Sequence, residues 1–162
     1  MEIRVDDPKS ERAAALLREH LDEMAVYSPP ESRHALDSHA LCSPDVTFWT
    51  VWKGLELLGC GALLELAPRH GELKSMRTAK AHLRNGVAAS LLRHIIAEGE
   101  RRSYTRLSLE TGSMEGFAPA RALYRRFGFS VCEPFASYVP DRNSVFMTRT
   151  LPSAGATAGP NA

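Results

Sequence analysis

An extended run, a basic glycine-bearing loop and an amphipathic helix follow one another over residues 71–101, and this stretch limits the folds open to the chain more than any other. Leu73, Met76 and Thr78 lie on the extended run, whereas Val87, Leu91, Leu92, Ile95 and Ile96 recur at i, i+4, i+5, i+8 and i+9, the apolar stripe of a helix. Loop residues 83–88 lead straight into that helix. Their backbone N–H groups have no acceptor one turn earlier and point outward, where the helix dipole favours an anion. A phosphate group fits such a terminus.

Around this unit the chain alternates strands and helices. Residues 2–5 read as a first strand, and Asp7 followed by Pro8 reads as the start of a helix that runs to about Met24. Ala13, Leu16, Leu17, Leu21 and Met24 make its apolar face, and His20 on the same side reads as a histidine packed at the core edge. Pro29 and Pro30 break that helix, and a second short one is expected over 32–41. Residues 46–52 and 57–66 form a hairpin about the turn at Lys53-Gly54-Leu55-Glu56, which the 71–78 run extends. Gly59 and Gly61 mark a bulge or a close packing contact. A strand over 106–111 follows the central helix; Pro119 starts a helix that Gly128 stops, and strands over 130–135 and 144–151 close the sheet. The fold class is mixed α/β, with one domain over 1–151 and a small, polar tail over 152–162 read as disordered.

Composition narrows the function. Of 162 residues 44% are apolar, enough for a core, and 20 basic against 19 acidic side chains leave a net charge of +1. That balance creates no field to hold nucleic acid or an anionic membrane, so neither is expected as a partner. Cys42, Cys60 and Cys132 are odd in number and unclustered, which argues against a disulfide framework and a metal site. The N-terminal stretch has no apolar signal core and no later run is long enough to span a bilayer, so a cytoplasmic location is expected.

The 83–88 loop resembles motif A of the GNAT acyltransferases, Gln/Arg-x-x-Gly-x-Gly/Ala, with Gly86 and Ala88 matching. Leu83 stands where the family usually has Gln or Arg, and Arg84 follows one position later. A second block resembles the family's Asn-x-x-Ala-x-x-Leu-Tyr-x-x-x-Gly-Phe: Ala120, Leu123, Tyr124, Gly128 and Phe129 match in spacing, with Phe117 in the place of Asn. The resemblance implies the GNAT fold, a mostly antiparallel central sheet flanked by helices, and acetyl-CoA as co-substrate with no metal. It places the pyrophosphate on Arg84, Asn85, Gly86, Val87, Ala88 and Ala89. Met76, Arg77 and Thr78 on the central strand, with Phe117 and Ala120, then hold the acyl-pantetheine arm.

The resemblance also implies roles. Acyl transfer from a thioester to an amine requires a neutral amine, a polarised carbonyl and a proton for the departing thiolate. Tyr124 takes the position of the family's proton donor, since reference pKa values of about 10 for a phenol and 8.5 for a thiol lie close together. Glu72 is the first choice for the base, with Glu110 or water as rivals. Ser28, Glu31, Arg33 and His34, in the region that overhangs the acceptor side, and Lys74 on the central strand are candidates for binding the substrate, a small-molecule amine or amino acid. Lys74 or Arg77 is a candidate partner for a substrate carboxylate. Homodimerisation through the last strands stays open. The motifs also leave room for another acyl-CoA, a hydroxyl acceptor, or a non-catalytic acyl-CoA-binding sensor.

Overall fold

The computed structural model describes residues 1–34 and 36–152. The tail expected to be disordered falls, apart from Pro152, outside the described residues. Seven strands form one sheet in the order β1-β2-β3-β4-β5-β7-β6. They are β1 (Glu2–Val5), β2 (Val46–Lys53), β3 (Glu56–Ala67), β4 (His70–Thr78), β5 (Arg106–Gly112), β6 (Ser130–Cys132) and β7 (Ser144–Thr150). Every pairing is antiparallel except β4 with β5. A parallel pair needs a crossover, and α2 (Val87–Arg101) supplies it.

Period-two alternation divides the core between the two faces of this sheet. Trp49, Val51, Leu63, Leu73 and Leu107 face α2 and α3 (Ala118–Arg126), meeting Leu91, Leu92, Ile95 and Tyr124. On the opposite face Phe48, Cys60 and Ala62 meet Ala13, Leu16 and Leu17 of α1 (Glu11–Tyr27). The stripe read along α2 is the one buried.

Three boundaries differ from the sequence reading, each for a local reason. The helix expected to begin at Asp7 begins at Glu11, because the Asp7 carboxylate accepts the Lys9 amide at 2.8 Å and caps a turn before the helix. Among the described residues of 32–41 no α-helix forms: two 3₁₀ turns, Pro30–Ser32 and Ala40–Cys42, stand at the ends of the stretch instead. Short polar side chains compete with helical bonding in this stretch, and the Asp37 carboxylate takes the Ala40 amide at 2.8 Å. The strand expected over 130–135 stops at Cys132, just before Pro134, and the chain leaves the sheet as a loop over 133–143.

Gly59 and Gly61 have separate packing reasons. A Cβ on Gly59 would lie 2.7 Å from the Arg77 carbonyl oxygen and 2.9 Å from Val87 Cγ1, so β3, β4 and the start of α2 close on this point. Gly59→Ala is therefore expected to lower stability by about 1–3 kcal/mol through overpacking against backbone that cannot move aside. Urea unfolding reads the change; a midpoint equal to wild type would show that the contact is soft.

Candidate active site

The sheet parts at its centre. β4 and β5 pair only through His70↔Arg106, Gly71↔Leu107 and Glu72↔Ser108, although β4 continues to Thr78 and β5 to Gly112. Past Glu72 the edge of β4 that faces β5 has no ladder partner, which leaves backbone groups available to a ligand. β4 also bulges there: its register on β3 passes from Ala62↔Lys74 to Cys60↔Arg77, so Ser75 and Met76 stand opposite Gly61. Ser75 takes a left-handed φ of 55°.

Two cavities open at this parting. The larger, about 470 Å³, runs from the N-terminus of α2 along α3 to α1. Gly86 caps α2 with φ 79° and no side-chain cap, so the amides that follow it point into the cleft without an acceptor. Arg84, also at positive φ, and Arg126 make this end basic; Met24, Tyr27, Phe117 and Leu123 make the wall beyond it apolar. An anionic group on an apolar arm fits that sequence of surfaces. Of the residues expected at the cofactor, Met76, Arg77, Thr78, Arg84, Gly86, Val87, Ala88, Ala89, Phe117 and Ala120 line the cleft, and Asn85 does not. Arg77 is already engaged by α1: its guanidinium donates to Glu19 at 2.7 Å and pairs with Glu23. Phe117 lies against Gly112, where any side chain would collide with its ring, and meets Tyr27 edge-on at 5.8 Å.

The smaller cavity, about 100 Å³, lies between the parted strands and contains Glu72, Lys74, Glu110, His34 and Tyr138. Tyr138 comes from the 133–143 loop. Its hydroxyl donates to Glu72 Oε2 at 2.5 Å and accepts from Lys74 Nζ at 2.9 Å, and Lys74 also lies 3.3 Å from Glu72. Burial, with the Glu72 charge beside it, pushes the Tyr138 phenol up, so it stays a donor. The loop is pinned by Ser32, which donates to Asp141 at 2.5 Å, and by Phe135 and Phe146 packed on the Tyr138 ring. His34 meets that ring edge-on at 5.0 Å and is held below the ordinary histidine range by burial and by Lys74.

Glu110 differs from Glu72 in having one weak partner, Ser144 Oγ at 3.3 Å. Burial, reinforced by the Glu72 charge, pushes its carboxyl up to about 7 against the opposing pull of Ser144 and Lys74. Six residues line both cavities: His20, Met24, Met76, Phe117, Ala120 and Tyr124. Among them only His20 and Tyr124 carry side-chain hydrogen-bonding groups. Burial pushes the Tyr124 phenol up to about 12, with the Glu110 charge adding to it. Burial, then Arg77, lowers His20 to about 4, so its imidazole is neutral at physiological pH.

Glu72, Lys74, His34, Glu110 and Tyr124, named from sequence, thus share one small cavity. Ser28 and Glu31 lie outside both cavities: Ser28 ends α1 with its carbonyl accepting from Arg33 Nε at 2.7 Å, and Glu31 is exposed in the 3₁₀ turn. His20, Ser75 and Tyr138 are among the cavity residues that sequence did not place in the site. His20 faces the cleft rather than the core edge, Ser75 sits on a bulge that sequence does not display, and Tyr138 belongs to a loop whose first residues, up to Phe135, were read as strand. The Pro134 and Pro140 that flank Phe135 and Tyr138 are the signal that could have marked an aromatic loop.

Known proteins carry the same architecture. The model of the acetyltransferase (GNAT) family matches residues 13–129. An uncharacterized N-acetyltransferase of Bacillus subtilis, YsnE, is 58% identical over 151 residues, covering 93% of this chain and all of that one. A protein described as an acyl-CoA N-acyltransferase from Klebsiella pneumoniae superposes with a TM-score of 0.72 at 27% identity, covering 93% of this chain and 97% of that one. A GNAT family acetyltransferase from Elizabethkingia anophelis with acetyl-CoA bound has a TM-score of 0.65 at 15% identity, with 93% and 97% covered. The chain belongs to the GNAT acetyltransferase family, and its class of activity is N-acetyl transfer.

The raised carboxyl of Glu110 has a consequence for stability. The folded state holds its proton up to about pH 7, whereas the unfolded chain releases it near the ordinary value of 4.5. Stability therefore falls as pH rises between these two values, by up to about 3 kcal/mol for this one group. Glu110→Gln is expected to gain stability over wild type at pH 8 and to lose that advantage at pH 4. Thermal melts at the two pH values check it, and an equal difference at both would mean that the group is not held protonated.

Proposed function

We propose that this protein transfers the acetyl group of acetyl-CoA directly to the amine of a small molecule the size of an amino acid. The observation that carries the reading is the meeting of the two cavities at Tyr124, with a phosphate-accepting helix terminus at the far end of one and a carboxyl poised near pH 7 in the other. The basic end of the larger cleft, with the amides after Gly86, suits the pyrophosphate, and its apolar wall suits the pantetheine arm. The parting of β4 and β5 suits the thioester. A cavity of about 100 Å³ roofed by Tyr138 favours a small acceptor over a polymer.

The residues divide the chemistry among them. Glu110 takes the proton of the incoming ammonium, because a base with a pKa near the working pH is half ionised where it must act. Glu72 lies in the same cavity, but its Oε2 already accepts from Tyr138 and Lys74, so it serves to orient the acceptor and to fix the Lys74 charge. Tyr124 protonates the departing thiolate. Its phenol at about 12 suits that role in a buried site, because burial raises thiols too: Cys60, buried on the other face of the sheet, is pushed up to about 12. The proton exchange between phenol and thiolate is then close to balanced. Neither Cys42 nor Cys132 lines either cavity, which favours direct transfer over an acyl-cysteine intermediate.

A non-catalytic acyl-CoA sensor would have no use for a carboxyl tuned to neutrality beside the thioester position. Tyr124→Phe separates the two readings, since it keeps the ring on Phe129 and deletes the proton donor. Acetyl-CoA affinity and the thermal midpoint should hold, while kcat falls about 10²- to 10⁴-fold. Full activity in the phenylalanine variant would remove Tyr124 as the acid.

A further inference from the structure

Along its inward face α1 carries Ala13, Leu16 and Leu17 into the core, then His20 and Met24, which line both cavities, and then Tyr27, which lines the larger one. Steps of three and four residues keep these side chains on one stripe. His20 interrupts it with an imidazole where the two cavities meet. The acid and base assigned to acetyl transfer, Tyr124 and Glu110, leave that ring without a task.

Charged neighbours surround His20 without bonding to it. Glu19 and Glu23, on the same helix, are spent on the Arg77 guanidinium. Among the described residues the His20 ring has no hydrogen-bond partner, and neither of its nitrogens is sealed from the cavities as Glu23 Oε2 and Arg77 Nε are. A largely buried polar ring without a partner costs stability, and a ligand atom at the junction would recover that cost.

The chemistry open to this ring is narrow. Burial first and then the Arg77 charge lower it to about 4 against the opposing pull of Glu23, so at neutral pH it offers a phosphate no positive charge. It is also too weak a base to compete with the Glu110 carboxyl at about 7. A neutral imidazole still has one N–H to donate, and it polarises a carbonyl without surrendering that proton. A thioester brings two polar atoms to the junction, its sulfur and its carbonyl oxygen. Tyr124 on α3 is the donor for the sulfur. Among the residues lining both cavities, the other side-chain donor is His20 on α1.

We propose that His20 is a further catalytic residue whose ring N–H donates to the thioester carbonyl oxygen of bound acetyl-CoA and strengthens that bond as the oxygen becomes an oxyanion. The inference rests on the acetyl-transfer reading above. As the amine nitrogen bonds to the carbonyl carbon, the C=O π pair moves onto oxygen, and His20 stabilises that charge while keeping its proton. When the C=O bond re-forms, the carbon–sulfur bond breaks and the thiolate takes its proton from Tyr124, while Glu110 keeps the proton removed from the amine. A donor whose bond tightens as charge develops acts on the rate more than on ground-state binding.

The test compares wild type with His20→Leu, which suits the apolar stripe and removes the donor, and with His20→Gln, which keeps an N–H at similar reach. Thiol release from acetyl-CoA is measured with proteinogenic amino acids and simple alkylamines as acceptors. Calorimetric acetyl-CoA binding, thermal unfolding and the infrared carbonyl band of isotope-labelled acetyl-CoA on the protein are measured alongside. His20→Leu should lose about 10²-fold in kcat, as enzymes do when one oxyanion donor is removed. Its acetyl-CoA affinity and thermal midpoint should hold, and the bound carbonyl band should move up towards its position in free acetyl-CoA. His20→Gln should keep most of the rate and the wild-type band. A His20→Leu rate close to wild type would overturn the proposal, as would a carbonyl band that the substitution leaves in place. His20→Gln as slow as His20→Leu would also overturn it, because a donor at that reach would then not be what the rate needs. So would a midpoint lowered in both variants, which would assign the imidazole to the fold. A wild-type protein that releases no thiol with any acceptor would sink the acetyl-transfer reading and the His20 role together, whereas an active wild type with an equally active His20→Leu would remove His20 alone.

Discussion

The site depends on the point, after Glu72 and Ser108, where β4 and β5 stop exchanging hydrogen bonds. Because the pair is parallel, α2 must cross over between them, and its N-terminus returns to the carboxyl end of β4. Ligands of parallel strands collect at that end. Here one loop, residues 79–86, carries the chain from the parted strand to the helix terminus, so the unpaired edge of β4 and the uncapped amides of α2 follow from a single connection. The bulge at Ser75 and Met76 works with it. By placing two residues of β4 opposite Gly61, it re-aims the strand at the parting itself.

Electrostatics then assign different work to two carboxylates in one small cavity. Glu72 is anchored by a cation and a phenol, and its charge is one reason why Glu110, short of partners and buried, holds its proton up to about pH 7. Lys74 opposes that rise but does not cancel it, because burial is the larger effect. Tyr138 matters to both. It satisfies Glu72 and covers the cavity, so the loop that excludes water from Glu110 also fixes the charge that tunes it.

Much of this was legible before the structure, because it is written in local patterns. The helix stripe of Val87 to Ile96, the glycine at 86 and the spacing of Leu123, Tyr124 and Gly128 each follow from one turn of backbone and report on themselves. The acceptor side was read less well, since it is assembled from segments far apart in sequence. Tyr138 reaches Glu72 across 66 residues, and Ser32 reaches Asp141 across 109. Nothing in residues 32–41 shows that Asp37 will take a backbone amide and dissolve the expected helix. The bulge was equally hidden: Gly61 marked a close contact, but only the pairing of β3 with β4 shows that Ser75 is the residue displaced.

Arg77 shows how the two faces of the sheet cooperate. It lines the larger cleft, yet its guanidinium is drawn to Glu19 and Glu23 on α1, and these pairs hold its charge firmly in place. An arginine so engaged ties the first helix to the bulged end of β4 more than it recruits phosphate. The buried part of this network is costly to break, since losing either partner would strand a charge with little access to water. Its location explains the state of His20 one turn away. Burial makes that imidazole hard to protonate, and the fixed Arg77 charge makes it harder, so α1 contributes a neutral, polar group where the two cavities meet. The helix that looked in sequence like a plain core-packing element therefore forms one wall where the two cavities meet, and its ion pairs to Arg77 keep that wall in register with the strand.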